Sequence, residues 1–264
     1  DVERLSLLAR AVKGGRAIGQ IAKLPLRELQ RMVEKDAIAL SVIPALVSAI
    51  ASESRESIHA AALAAVERFD AAELESTLRG AAMRLGMDEM LDGVIGPLLL
   101  TIGSRWHAGL LSPAHEHLAT AVVRRTLTWM MENGTPPPMA PAIVVATLAG
   151  QTHELGAMLA AAAASSHGWR VVYLGANLPA RDIAVAANHA RATAVALSLL
   201  HPTEDPTIAG ALRDLRAALP ASTAIIAGGN AAASYAPALA AVGASQFGSI
   251  REWRAWLRGA TKTR

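Results

Sequence analysis

The spacing of apolar residues changes at the proline-rich segment 133–139, near the middle of this 264-residue chain. Upstream, apolar side chains recur every three or four residues at 54–69, 71–85, 88–106 and 113–131, which is typical of amphipathic helices. Downstream, short continuous apolar runs at 141–148, 170–174, 193–199 and 223–227 alternate with helical stretches at 154–167, 179–190, 207–218 and 231–241. This change predicts a helical bundle followed by a parallel sheet that is covered on both faces.

The predicted fold class is therefore all-α followed by α/β. We expect a four-helix bundle over residues 37–132, a stiff linker over 133–139, and a flavodoxin-like or Rossmann-like domain over 140–264. A weaker fifth strand near 244–247 and a last helix at 250–257 complete the sheet domain. In such a domain the ligand site lies beyond the carboxyl ends of the strands.

Composition excludes several classes of site. The chain has no cysteine, so disulfides, thiol nucleophiles and thiolate metal sites are excluded, and any metal ligand must be nitrogen or oxygen. The apolar stretches 91–102 and 157–164 are too short or too interrupted for the roughly 20 residues that a bilayer requires. A charged amino end without an apolar segment argues against a secretory signal, so we expect a cytoplasmic protein without a membrane partner.

The first 36 residues read as two short helices, interrupted at Gly14-Gly15 and ended before Pro25. Residues 1–35 contain eight Lys or Arg against four Asp or Glu, a balance of +4, whereas the whole chain is +3. Such a basic segment on a neutral body indicates contact with a polyanion. A solvated helix face explains the charge equally well.

Polar and small residues follow three of the predicted strands. His153 lies in the segment 150–156 after the first strand, Ser198-Leu199-Leu200 follows the third, and Gly228-Gly229 follows the fourth. Because the carboxyl ends of parallel strands meet at one edge of a sheet, these residues are expected to lie together. An imidazole there can ligate a metal. The alternatives are a plain loop histidine and glycines that serve ordinary tight turns.

A second group is predicted at one end of the bundle. Trp106 and His107 close the third helix, and Glu116 and His117 lie early in the fourth, which Ser112 caps. A helix, a short loop and a helix bring both pairs to the same end. Alone, a tryptophan at a helix end is usually core, and a Glu-His pair is usually surface.

Together these motifs resemble one known family. The segment around His153 is similar to the Asp-x-His-x-x-Gly loop of cobalamin-binding domains, in which Ser-x-Leu and Gly-Gly follow the third and fourth strands. Trp106-His107 with Glu116-His117 resembles the light-sensing, adenosylcobalamin-binding regulators of the CarH type. The amino-terminal 30 residues look like the end of a MerR-type winged-helix DNA-binding domain. The helix that would read DNA is not in this sequence, so we expect a piece of a longer protein.

The resemblance implies a lower cobalt site at the sheet edge. His153 would be the lower axial ligand, Ser198 would hydrogen-bond the base of the nucleotide tail, and the tail would lie close to the small residues Gly156, Gly228 and Gly229. The other expected cofactor contacts are Gln151, Thr152, Glu154 and Leu200. Gln151 stands where the family pattern has Asp. An amide can orient the histidine ring but lacks the charge that raises ligand basicity.

The resemblance also implies an upper site and a function. Trp106, Glu116 and His117 would cover the adenosyl group, and His107 would replace that group at cobalt after photolysis. The protein would be a non-enzymatic repressor whose dark form is a DNA-binding tetramer. Two other classes of cobalamin protein remain as alternatives. A corrinoid methyl carrier would share both domains but leaves the basic amino end and the Trp with Glu-His unexplained, and a mutase module would need a substrate barrel.

Overall fold

The computed structural model of the protein describes residues 2–13, 18–134 and 136–262. The chain divides into two compact units, Asp1–Ser57 and Ile58–Arg264. Among the described residues, no helix combines the length and apolar character that a membrane crossing needs.

The first unit contains α1 (Val2–Lys13), α2 (Ile18–Ile21) and the beginning of α3 (Leu26–Glu67). Its small core consists of Leu7, Ala11, Ile21, Leu29 and Val33. The two short helices predicted here are confirmed, whereas the predicted helix stop at Gly14-Gly15 lies outside the described residues.

The helical cap of the second unit begins with the end of α3. It continues with α4 (Ala71–Arg84), α5 (Met87–Glu89), a π-helix (Met90–Ile95), α6 (Gly96–His107) and α7 (Pro113–Glu132). Asp70 caps α4 by accepting a 2.8 Å hydrogen bond from the backbone N–H of Glu73. Apolar residues of these helices, including Val66, Leu78, Leu98 and Leu127, are fully buried.

The prediction of one regular helix over 88–106 is wrong at its beginning. The segment Met90–Ile95 is a π-helix, in which the N–H of Gly96 donates to the carbonyl of Leu91. The physical reason is Pro97, which has no N–H to give to the preceding turn and whose ring crowds the carbonyl that would accept it. Gly96 suits the wider turn, since a Cβ there would lie 3.1 Å from the carbonyl oxygen of Leu91.

The sheet domain alternates strands and helices as expected. The strands are β1 (Ala142–Leu148), β2 (Arg170–Leu178), β3 (Ala194–Ser198), β4 (Ala224–Gly228) and β5 (Ser245–Phe247). The helices are α8 (Leu155–Ser166), α9 (Ala180–His189), α10 (Thr207–Ala218), a 3-10 turn (Ala232–Tyr235), α11 (Ala236–Ala241) and α12 (Ile250–Lys262). In the described part of the chain the strands form one parallel sheet in the order β2-β1-β3-β4-β5. This is the flavodoxin-like order, and the predicted fold class is confirmed.

One strand is longer than predicted. β2 extends to Leu178, whereas the apolar run predicted a strand that ends at residue 174. The extension contains Gly175 and Asn177, both with positive φ, and its pairing with β1 shifts register after Val145. Glycine and asparagine usually mark turns, so the sequence did not predict that this strand continues through bulges.

The two faces of the sheet have different neighbours. Ile143 and Val145 of β1 belong to a core shared with α8, α12 and the helical cap, whereas Val144 and Ala146 belong to the core formed with α9, α10 and α11. This follows from the alternation of side chains along a strand. The cap therefore packs onto the sheet domain through the helix that follows β1.

Helix α12 also joins the cap to the sheet domain. Its Arg254, 6% exposed, pairs with the carboxylate of Asp88 at 3.1 Å and with that of Asp92 within the π-helix. Trp253 and Trp256 of the same helix stack with ring centroids 5.4 Å apart. The charged and aromatic contacts fix the cap at a second place besides α8.

Candidate cofactor site at the carboxyl edge of the sheet

His153 lies in an exposed loop between β1 and α8. The loop leaves the sheet at Gly150, which has φ +86° and donates its N–H to Oδ1 of Asn177 at 2.8 Å. The side chains of Thr152 and His153 are exposed. No described residue forms a hydrogen bond with the ring nitrogens of His153, and its ring contacts that of His201 with centroids 5.7 Å apart. Either nitrogen, when it carries the lone pair, is therefore open to a ligand.

Gln151, two residues earlier, is 1% exposed and does not hydrogen-bond to His153. Its Oε1 accepts from the backbone N–H groups of Leu200 at 3.0 Å and His201 at 3.2 Å. Its Nε2 donates to the carbonyl of Pro202 at 3.2 Å. The expectation that this amide orients the histidine directly is not met, because the amide is bound to the loop after β3.

Glu154, the residue after His153, is tied to both the sheet and the cap. Its Oε2 accepts a 2.8 Å hydrogen bond from the hydroxyl of Tyr173 on β2. Its Oε1 lies 2.6 Å from Nη2 of Arg124 on α7. Burial raises the pKa of Tyr173, and the carboxylate of Glu154 raises it further, so the phenol stays protonated and donates. The neighbour of His153 is thus a bridge to the cap.

Small residues lie beside Ser198 at the end of β3. A Cβ on Gly156, in the first turn of α8, would lie 2.6 Å from Oγ of Ser198. Ser198 pairs in register with Gly228, and its hydroxyl forms no hydrogen bond with any described residue. Gly229 has φ +99°, and a Cβ there would lie 2.3 Å from the carbonyl oxygen of Leu199. The edge thus presents a free hydroxyl between positions that lack side chains.

Trp106 and His107 lie in the last turn of α6. Trp106 is 44% exposed and His107 is exposed, with the two ring centroids 4.8 Å apart. Nδ1 of His107 lies 2.9 Å from the carbonyl oxygen of Gly103. A carbonyl only accepts, so Nδ1 carries a proton, and in the neutral imidazole Nε2 then has the lone pair. This arrangement, with one nitrogen bonded to a carbonyl, is common for histidines that bind metals.

Glu116 and His117 lie near the beginning of α7, which starts at Pro113. Oε1 of Glu116 accepts from the hydroxyl of Thr120 at 2.7 Å, and its Oε2 lies 3.5 Å from Nε2 of His117. The connecting turn passes through Gly109, with φ +71°, and Ser112 and His115 form a reciprocal cap. Both pairs therefore lie beside the same short connection between α6 and α7.

Helix α7 connects the two groups of residues. It carries Glu116 and His117 at its beginning and Arg124, the partner of Glu154, about 10 Å further along its axis. Within the described ranges, no hydrogen bond, ion pair or ring contact joins the side chains of the Trp106 group directly to His153. The roles of Arg124, Tyr173 and His201 had no motif to signal them.

The residues present fit a corrinoid better than a metal ion held by protein alone. Among the described residues, no group of three or more His, Asp or Glu side chains could hold a metal ion. A corrin ring supplies its own equatorial nitrogens, so one imidazole from the protein is enough for a lower ligand. The unpaired imidazole of His153 and the free hydroxyl of Ser198 beside Gly156 match the needs of cobalt and of a polar tail.

Comparison with known proteins agrees with this geometry. Residues 141–250 match the family model of the B12 binding domain, and residues 58–129 match a second model described as a B12 binding domain. The chain is 29% identical over 253 residues to the HTH-type transcriptional repressor CarH of Myxococcus xanthus, covering 96% of this chain and 82% of that protein. It is also 29% identical over 233 residues to the repressor CarA of the same organism, covering 86% of this chain and 78% of that protein.

The fold also resembles a solved structure. The monomethylamine corrinoid protein of Methanosarcina barkeri aligns with a TM-score of 0.62 and 16% identity, covering 78% of this chain and 99% of that one. The sheet domain and the helical cap are thus each similar to a B12 binding domain. The resemblance to CarH-type cobalamin-binding regulators is confirmed, and the named relatives are repressors rather than enzymes.

Proposed function

We propose that this protein is a light-responsive transcriptional repressor in which adenosylcobalamin controls self-association and DNA binding. The observation that carries the proposal is the pair of imidazoles with free nitrogens, His153 at the sheet edge and His107 at the end of the cap. They occur in a chain that is similar to the repressor CarH over 96% of its length. The proposed location is the cytoplasm.

The lower half of the site would hold the cofactor. His153 would ligate cobalt through one of its unpaired nitrogens. Ser198 would donate to the base of the nucleotide tail, and Gly156, Gly228 and Gly229 would leave the tail its room at the strand ends. Thr152 and Leu200 would line the same edge, while Gln151 would contribute by holding the loop after β3.

The upper half would cover and then replace the adenosyl group. Adenosylcobalamin supplies a cobalt–carbon bond that light breaks. Trp106 and the Glu116-His117 pair would exclude water from that side, since indole and imidazole rings give large contact areas. Nε2 of His107 faces no described hydrogen-bond partner and is the nitrogen that would bind cobalt from above.

Coupling to assembly would run through helix α7. Arg124 pairs with Glu154, the residue next to His153, so this ion pair links α7 to the loop between β1 and α8. A ligand shifts an equilibrium only by binding one arrangement more tightly, so the adenosyl group must favour the closed cap. We infer that the closed form self-associates as a tetramer and binds DNA, and that the basic residues 1–35 add salt-dependent affinity.

The test is an absorption spectrum and a sizing run with adenosylcobalamin, before and after green light. We expect a histidine-ligated, base-off cofactor and a larger particle in the dark, and a bis-histidine spectrum with a smaller particle after light. His107→Ala should photolyse without giving the bis-histidine spectrum, while His189→Ala, at the exposed end of α9, serves as the control. A light spectrum in the His107 variant that equals the parent's would remove His107 from the site.

A corrinoid methyl carrier is the second candidate. The fold shared with the monomethylamine corrinoid protein favours it. Such a carrier needs neither a photolabile upper group nor a change of assembly. A chain that binds cobalamin through His153 but keeps one particle size in dark and light would make this second function the better one.

A further inference from the structure

A second imidazole lies beside His153. The ring of His201, in the loop after β3, meets the ring of His153 with centroids 5.7 Å apart and an angle of 84° between their planes. This is the edge-to-face geometry that aromatic pairs prefer. Both side chains are exposed, and no described residue hydrogen-bonds to the nitrogens of either ring. Among the described residues, His201 is thus the side chain that contacts the imidazole of His153.

The backbone of His201 is held on both sides. Oε1 of the buried Gln151 accepts from the N–H groups of Leu200 and His201. The next carbonyl, that of Pro202, accepts from Nε2 of Gln151 at 3.2 Å and from the hydroxyl of Tyr235 at 2.9 Å. An exposed loop residue fixed in this way can present its ring at one position.

We propose that His201 is a positioning residue that orients the imidazole of His153 for cobalt, and that Gln151 fixes His201 in place. The inference rests on the proposed function, in which His153 is the lower ligand. A metal-binding histidine is normally oriented by a hydrogen bond from its second nitrogen. Here the side chain two residues earlier is turned to the loop, and the neighbouring ring supplies the restraint instead.

The amide of Gln151 is required for this arrangement. It accepts two hydrogen bonds through oxygen and donates one through nitrogen to the carbonyl of Pro202. A carboxylate has no donor, so Gln151→Glu would place an anionic oxygen against that carbonyl. The loop would move away, and His201 would move with it.

The first experiment needs no cofactor. In the whole chain, nuclear Overhauser contacts between the ring protons of His153 and His201 are expected, and Gln151→Glu should remove them. Hydrogen exchange at the N–H groups of Leu200 and His201 should accelerate at least tenfold in that variant. Absence of the ring contact in the parent chain would overturn the inference.

The second experiment titrates adenosylcobalamin in the dark against His201→Ala, His201→Phe, His189→Ala and His153→Ala. We expect His201→Ala to weaken binding roughly tenfold, the lower end of what loss of an orienting group costs a metal site, and to reduce the histidine-ligated fraction in the absorption spectrum. His201→Phe, which keeps a ring edge, should restore affinity to within about threefold of the parent, on the same scale. His189→Ala should equal the parent.

The possible failures are distinguishable. If His153→Ala loses the histidine-ligated spectrum while His201→Ala equals the parent, the positioning role is wrong and the proposed function stands. If His201→Phe binds adenosylcobalamin as weakly as His201→Ala, the ring contact does not orient His153 and the inference is overturned. If His153→Ala keeps the parent spectrum, the lower ligand lies elsewhere and both proposals fall.

Discussion

The lower and upper groups of the proposed site are built in opposite ways. The lower group lies on loops packed against buried backbone: Gln151 is 1% exposed, and at Gly229 no Cβ fits. The upper group lies on helix ends in the open, with Trp106 44% exposed and free space around Gly109. A ligand held for long periods needs a rigid base, whereas a cover that must open needs few contacts of its own. The difference therefore agrees with a permanent lower ligand and an exchangeable upper side.

The largest expected effect compares two glycines. Gly229→Ala should lower the free energy of unfolding by about 3 kcal/mol, because positive φ is strained and the new Cβ would overlap the carbonyl of Leu199. Gly109→Ala shares the positive φ but meets nothing within 4 Å, so about 1 kcal/mol is expected. Urea unfolding of both variants measures the difference. Equal losses would mean that the lower edge is no more tightly packed than the upper turn.

The next comparison is between a variant that removes buried hydrogen bonds in the lower group and one that removes an exposed side chain in the upper group. Gln151→Met keeps the length of the side chain but leaves the N–H groups of Leu200 and His201 without their acceptor, and should cost about 2 kcal/mol of unfolding free energy. His107→Ala at the exposed upper end should stay within about 0.5 kcal/mol of the parent. Chemical unfolding of the cofactor-free chain tests both. If the His107 variant lost as much unfolding free energy as the Gln151 variant, the contrast between the lower and upper groups would be wrong.

Trp106→Ala sharpens the same comparison on the upper side. A buried tryptophan loses about 3 to 5 kcal/mol on truncation, but Trp106 is 44% exposed, so about 1 kcal/mol is expected without cofactor. Dark assembly with adenosylcobalamin should weaken far more, because the ring would then be covered. Sizing runs and unfolding curves on one preparation separate the two. Unchanged dark assembly would leave Trp106 with a packing role alone.

The smallest effect concerns pH in the loop between β3 and α10. Hydrogen bonds from the hydroxyl and the backbone N–H of Thr207 lower the pKa of the Asp205 carboxyl below its ordinary value of 3.8. A folded-state pKa below the unfolded value gives a stabilisation that is present above pH 3.8 and lost as pH falls through the lowered pKa. Carboxyl-carbon NMR should show this midpoint, and Thr207→Val should move it upward. A midpoint unaffected by Thr207→Val would show that the hydroxyl is not the cause.

The fold was predictable from sequence because burial leaves a pattern. β1, buried along its whole length, was placed to within a residue by its apolar run, and α10 by its helical spacing. The end of β2 was missed because Gly175 and Asn177 usually mark turns. The π-helix was missed because its apolar residues keep the spacing of an ordinary helix, and the backbone change depends on Pro97 and the flanking glycines.

The candidate site was predictable only where it follows a motif. Order along the strands placed Ser198 beside Gly156 and opposite Gly228. The roles of Gln151 and Arg124 depend on which side chain a distant loop or helix brings within hydrogen-bond distance, and sequence spacing carries no such information. The roles proposed for the histidines at cobalt remain predictions for the spectra described above.

The π-helix has a consequence for helical register. A wider turn accommodates one residue more than an α-helical turn, so every side chain downstream is rotated about the axis relative to a regular helix. Deleting one residue between Met90 and Ile95 would turn Trp106 and His107 by about 100° and shift them by about 1.5 Å. The directions of the Trp106 and His107 side chains, at the end of α6, thus depend on the number of residues in one turn before α6 begins.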